Sequence, residues 1–84
     1  GVGGLMMNDF DTLKNSYISA IQWGLAARVG YSESKHGNEI LHKFCENFID
    51  NSNYNTSDKA MIKHEFEIIK EALSNEIESF YTKN

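Results

Sequence analysis

Eighty-four residues make one domain and leave no room for a second module, near the lower size at which a chain buries a core without metals or disulfides. With 40% apolar residues, five Phe, four Tyr and one Trp, the chain has globular rather than disordered composition, so its middle is expected to fold. The net charge of −4 disfavours a generic polyanion binder, which needs clustered cations, and is too mild for a DNA mimic.

The N-terminal "GVGGLMM" begins on glycine, so residues 1–7 read as a cloning remnant and disordered tail, with Met6 or Met7 as the native start. A single helical domain is expected over residues 8–82. The lone Cys45 has no partner for an intramolecular disulfide, and no charged-apolar-small leader is visible. These features point to a cytoplasmic protein.

No proline interrupts the chain and no run alternates with the period of a strand, whereas helical periodicity recurs three times. From a cap at Asn8 or Asp9, the residues Phe10, Leu13, Tyr17, Ala20, Ile21 and Gly24 recur at spacings of three and four. Gly30 stands where a left-handed C-terminal residue is wanted, so the first helix is expected over 9–29. In "NEILHKFCENFIDN" the apolar residues fall at i, i+1, i+4 and i+5, a broad face that predicts a second helix over 36–50. "NSNYNT" is a polar turn, after which Thr56 or Ser57 can cap a third helix over 57–81. Its stripe is Ile62, Phe66, Ile69, Leu73, Ile77 and Phe80. Connections of about six residues favour antiparallel neighbours. The fold class is therefore all-α, a small three-helix up-down-up bundle, compatible with a dimer.

The first helix carries more apolar surface than one bundle face needs. Residues 15–27 contain no charge, and at about 100° per residue their apolar members sweep roughly 200°. Ser16, Ala20, Gly24 and Ala27 line one strip of small side chains, with Trp23 at its border. The run is too short and too polar to span a membrane. Either this helix is central in the bundle, flanked by both others, or part of its arc docks a partner or a second copy of the chain. A second apolar strip, Met61, Ile68 and Ala72, is offset from the main stripe of the third helix, with Glu65 and Glu76 between the two. A Met and Trp surface rimmed by acids suits recognition of a protein, especially a basic one. Glu67 is expected to pair with Lys63 and Lys70 on a solvated face.

The stretch "QWGLAARVGYS", with Gln22, Leu25, Ala26, Val29, Gly30 and Ser32, resembles the first helix and turn of a helix-turn-helix DNA-binding motif. That resemblance implies a reading helix within 22–44, with Lys35, Asn38 and Lys43 toward DNA. Its second half departs from the motif: His36 and Glu39 stand where apolar residues would pack on the first helix. Arg28 is the sole arginine, so the reading helix has none with which to read guanine.

Glu39, His42, Cys45 and Glu46 lie at i, i+3, i+6 and i+7, and E-x-x-H is the spacing of helical di-iron sites. The second copy such a site needs fails, because Met61 stands three residues before His64. No metal or other cofactor is assigned, and His42 reads as a surface residue at the edge of an apolar face. Cys45 reads as a small buried hydrophobe. No glycine-rich elbow, phosphate loop or other catalytic signature is present.

The leading expectation is a non-enzymatic protein-protein interaction module. An inhibitor, immunity, anti-defence or adaptor protein of the kind phages and plasmids encode would act by occupying a partner protein's surface or by forming a homodimer. Its docking face would comprise Trp23, Ala20, Gly24, Ala27, Ser16, Met61 and Ile68, and it would involve no membrane. The alternative is a small helix-turn-helix transcriptional regulator that binds nucleic acid.

Overall fold

The computed structural model describes residues 7–82 and consists of three helices, with no strand among the described residues. They are α1 (Met7–Ala26), α2 (Tyr31–Asp50) and α3 (Thr56–Thr82). Apart from Met7, which opens α1, the expected N-terminal tail lies outside the described residues.

Contacts at the helix ends fix the topology. The Tyr31 ring at the start of α2 meets Tyr81 near the end of α3, and Asp50 at the end of α2 accepts from Lys63 in the second turn of α3 at 3.0 Å. These two helices are therefore antiparallel. Phe10 of α1 packs edge-on against Phe48 of α2, while Lys14 reaches Glu65 of α3 at 2.5 Å and Tyr17 stacks on Phe66. So α1 runs against α2 and along α3, the expected up-down-up bundle. The most extensive packing is between α2 and α3, and α1 lies across their seam rather than at the centre.

The core is built from one stripe of each helix: Phe10, Tyr17, Ile21 and Leu25 on α1, Cys45 and Ile49 on α2, and Ile62, Phe66, Leu73 and Ile77 on α3. Burying each large apolar side chain contributes about 1.5–3 kcal/mol. The α3 stripe is as its periodicity predicts, save for Phe80, which is partly exposed at the bundle end beneath the Arg28 guanidinium.

The first connection departs from expectation. α1 ends at Ala26, and the left-handed residue after it is Arg28 (φ 56°), not Gly30. The Val29 N–H donates to the Gly24 carbonyl and the Arg28 N–H to the Leu25 carbonyl, the paired bonds of a Schellman motif. Val29 supplies its apolar contact, with Cγ2 3.6 Å from where a Gly24 Cβ would stand. Gly30 instead caps α2 with φ 117° and ψ 157°, a region open essentially to glycine alone. α2 thus begins at Tyr31, five residues before the expected start at residue 36. Its first turn is held by α3: the Gly30 N–H donates to the Tyr81 hydroxyl at 3.0 Å, and the Tyr31 hydroxyl donates to Glu78 at 2.5 Å. At the second connection the cap is Asn55, one residue ahead of Thr56, its Oδ1 accepting from the Asp58 N–H at 2.8 Å.

The buried face of α2 is the largest correction. Ser34, Asn38 and His42 are each 3–5% exposed, whereas Ile40 (53%) and Phe44 (58%) of the expected apolar face stand in solvent. Asn38 bonds to both neighbouring helices. Its Oδ1 accepts from the Tyr17 hydroxyl on α1, and its Nδ2 donates to the Lys70 carbonyl on α3 at 3.2 Å. One side chain therefore ties all three helices in register.

Candidate interaction surface

Trp23 is 74% exposed. At about 100° per residue it lies roughly 155° around α1 from the mean direction of Phe10, Tyr17, Ile21 and Leu25, so it points almost directly away from the core. Ser16, Ala20 and Ala27 are exposed beside it and Gly24 is half-buried, so the small-residue strip is a surface feature and not a helix contact. A shallow open depression lined by Ser19, Gln22 and Ala26 flanks the indole.

The strip turns toward α2. There Leu13, Ser16 and Tyr17 of α1 and Leu41, Phe44 and Cys45 of α2 line an almost wholly apolar cleft of about 90 Å³. Gly37, one turn before Leu41 on the same flank of α2, has nothing within 4 Å of where a Cβ would stand. Phe44 is exposed on the α2 lip of this cleft and Trp23 lies beyond its other end on α1, whereas Ile40, further round α2, lines the opposite α2–α3 groove. Ile40 and Phe44 were missed in the sequence because their spacing also suits a core. The sequence signal that could have found them is the excess width of the α2 apolar arc, the same signal that singled out α1.

Met61 (64% exposed) and Ile68 (56%) are also in solvent, with Ala72 beside them, but they form a separate patch. They lie on the flank of α3 whose Glu65 meets Lys14 of α1, whereas Trp23 lies on the flank of α1 that meets α2. The polar sector of α1 holding Asp11, Asn15 and Gln22 runs between them. The Lys14–Glu65 pair sets Met61 level with the first turn of α1, about 20 Å along the axis from Trp23. The expected single docking face is therefore two faces.

The three residues expected toward DNA share no surface. Asn38 is buried and committed to Tyr17 and Lys70, so it does not face solvent. Lys35 donates to the Tyr31 hydroxyl at 3.2 Å and lies 3.4 Å from Glu78. That hydroxyl, then the Glu78 carboxylate, hold the ammonium above its usual range. Only Lys43 is exposed on the α2–α3 side without such a pairing. Nor do α1 and α2 cross at the roughly 90–120° of a helix-turn-helix. They run alongside each other, in contact at Phe10 and Phe48 and again at Tyr17 and Asn38.

Cys45 and Lys63 are shifted by their surroundings. Burial pushes the Cys45 thiol up to about 11, leaving little thiolate at neutral pH. Lys63 is held above its usual range by its bond to Asp50 across the α2–α3 connection, so its expected pairing with Glu67 is not made. No described helix is long and apolar enough to cross a membrane. In comparisons with family models, curated proteins and solved structures, none matches this chain.

Proposed function

We propose that this chain is a non-enzymatic protein-interaction module, an inhibitor or adaptor that acts by occupying a partner protein's surface through the α1–α2 groove. The observation that carries the reading is the run of uncharged, exposed surface there: Trp23, Ala20, Ala27 and Ser16 on α1, with Phe44 of α2 across the cleft that Ser16 lines. Tryptophan is enriched among residues that dominate binding energy, and small side chains beside it let another helix approach closely. A net charge of −4 favours encounter with a basic partner. The Met61–Ile68 patch is a second, independent contact area.

The only tryptophan in the chain stands on this face, so its emission reports occlusion directly. Sedimentation velocity over a concentration series would measure self-association. Affinity capture followed by titration of the purified captured protein would measure partner binding. Trp23→Ala and Gly24→Leu are expected to weaken association without loss of helicity, since both positions lie outside the core. If both variants self-associate and bind like the parent, the assignment of this face is wrong.

A further inference from the structure

On the opposite seam, between α2 and α3, three side chains converge without a role in the reading above. His42 and Glu46 stand one turn apart on α2, and Glu67 comes from α3; one ligand atom from each lies within 4.8 Å of the others. The imidazole is almost fully buried, with the side chain 6% exposed, yet its Nε2 has no hydrogen-bond partner. That nitrogen faces Glu67 Oε2 at 3.3 Å, while Nδ1 lies 3.9 Å from Glu46 Oε1. A buried polar nitrogen left unpaired costs about 1–3 kcal/mol, so its position calls for a ligand.

We propose that His42, Glu46 and Glu67 bind a divalent first-row transition ion of the Zn²⁺ type. The donor set of one imidazole and two carboxylates suits such an ion, and three protein ligands leave a fourth position for water. Bonds of about 2.0–2.2 Å in tetrahedral geometry separate neighbouring ligand atoms by roughly 3.3–3.5 Å. The Nε2 to Glu67 Oε2 distance already matches this, and a rotamer change brings Glu46 in. A groove of about 360 Å³, also lined by Glu39, Lys43 and Lys70, opens onto the three residues and gives the ion a route and its water a place. Carboxylates outnumber ammonium groups along that lining. Because the ligands come from two helices, the ion would clamp α2 to α3, binding the folded state and not the unfolded one.

The test is calorimetric titration of chelator-treated protein with Zn²⁺ alone, together with thermal unfolding and the ¹⁵N resonances of the His42 imidazole. One equivalent is expected to bind, raise Tm and shift the Nε2 resonance. Glu67→Gln, a nearly isosteric change at a side chain that is 54% exposed, should fold normally and weaken binding by about tenfold or more. His42→Gln should abolish it. The proposal is overturned if Zn²⁺ in excess leaves Tm and the Nε2 resonance unchanged, or if Glu67→Gln binds as tightly as the parent.

Discussion

Asn38→Ala tests whether a single polar side chain sets the register of this bundle. The change removes the bond accepted from Tyr17 and the bond donated to the Lys70 carbonyl, each contributing about 1 kcal/mol net. It also deprives a nearly inaccessible tyrosine hydroxyl of its best acceptor, at a further cost of about 1–2 kcal/mol. Two effects reduce the total. The Asn38 backbone carbonyl lies 3.4 Å from the same hydroxyl and is a poorer substitute, and alanine is the better helix former by about half a kcal/mol. The expected loss is about 2–3 kcal/mol, or a Tm lower by roughly 10–20 °C for a domain of this size. Urea unfolding followed by circular dichroism measures it, and Tyr17→Phe completes a double-mutant cycle. In the parent, Tyr17→Phe should cost about 1 kcal/mol. In the Asn38→Ala background it should be neutral or stabilising, because it removes a stranded hydroxyl. If the two costs instead add within about 0.5 kcal/mol, the residues are not coupled and the tie between helices is not energetic.

Gly30→Ala places a β-carbon at φ 117° and against the Glu33 carboxylate; the side chain can move but the backbone cannot, so about 1–3 kcal/mol should be lost in the same unfolding assay. For Cys45 the folded thiol titrates near 11 against an ordinary value of 9.0, so the unfolded chain releases its proton first as pH rises. Stability should therefore be unaffected at neutral pH and fall progressively between about pH 9 and 11, by up to about 2–3 kcal/mol. Cys45→Ala should remove the part of the fall that begins near pH 9, leaving the contributions of Tyr17, whose hydroxyl burial also raises, and of Lys14, Lys35 and Lys63, which set in at higher pH; an unchanged slope near pH 9 would refute the assignment. The same burial predicts that the native thiol reacts with a disulfide reagent at neutral pH only as fast as the chain unfolds. Ile40→Ser and Phe44→Ser, at positions more than half exposed, should each change stability by no more than about 0.5 kcal/mol, and a loss of 2 kcal/mol in either would place it in the core.

The architecture was legible in the sequence because α1 and α3 each carry a clear 3.6-residue stripe, and Phe10, Tyr17, Ile62, Phe66, Leu73 and Ile77 are buried where that period puts them. The start of α2 was not. "YSESKHG" has no apolar periodicity, and its helix is fixed by partners far along the chain, Tyr31 on Glu78 and the Gly30 N–H on the Tyr81 hydroxyl. Long-range contacts of that kind leave no local trace. The surface strip from Ser16 to Ala27 could be read as solvent-facing or helix-packing from spacing alone, and only the placement of α1 on one side of the α2–α3 seam decides it. The convergence of His42 with Glu67 was hidden for the same reason. Within α2 the histidine sits at the edge of an apolar face, and its second carboxylate arrives from α3.

What remains to be explained is why α2 turns Ser34, Asn38 and His42 inward while Ile40 and Phe44 stay out. Each of those two side chains is only a little more than half exposed, so burying the remainder of both would contribute about 2–3 kcal/mol. Rotating α2 to gain it would carry Cys45 and Ile49, both in the core, toward solvent. The rotation would break the Asn38 bonds to both neighbours, detach the Tyr31 hydroxyl from Glu78 and draw His42 away from Glu67. Core packing at Cys45 and Ile49, together with the Asn38 and Tyr31 bonds, thus holds α2 in a register that leaves an aromatic and an aliphatic side chain facing solvent. The same register sets Phe44 on the lip of the α1–α2 cleft and Ile40 on that of the α2–α3 groove, so the exposed apolar face of α2 spans both seams.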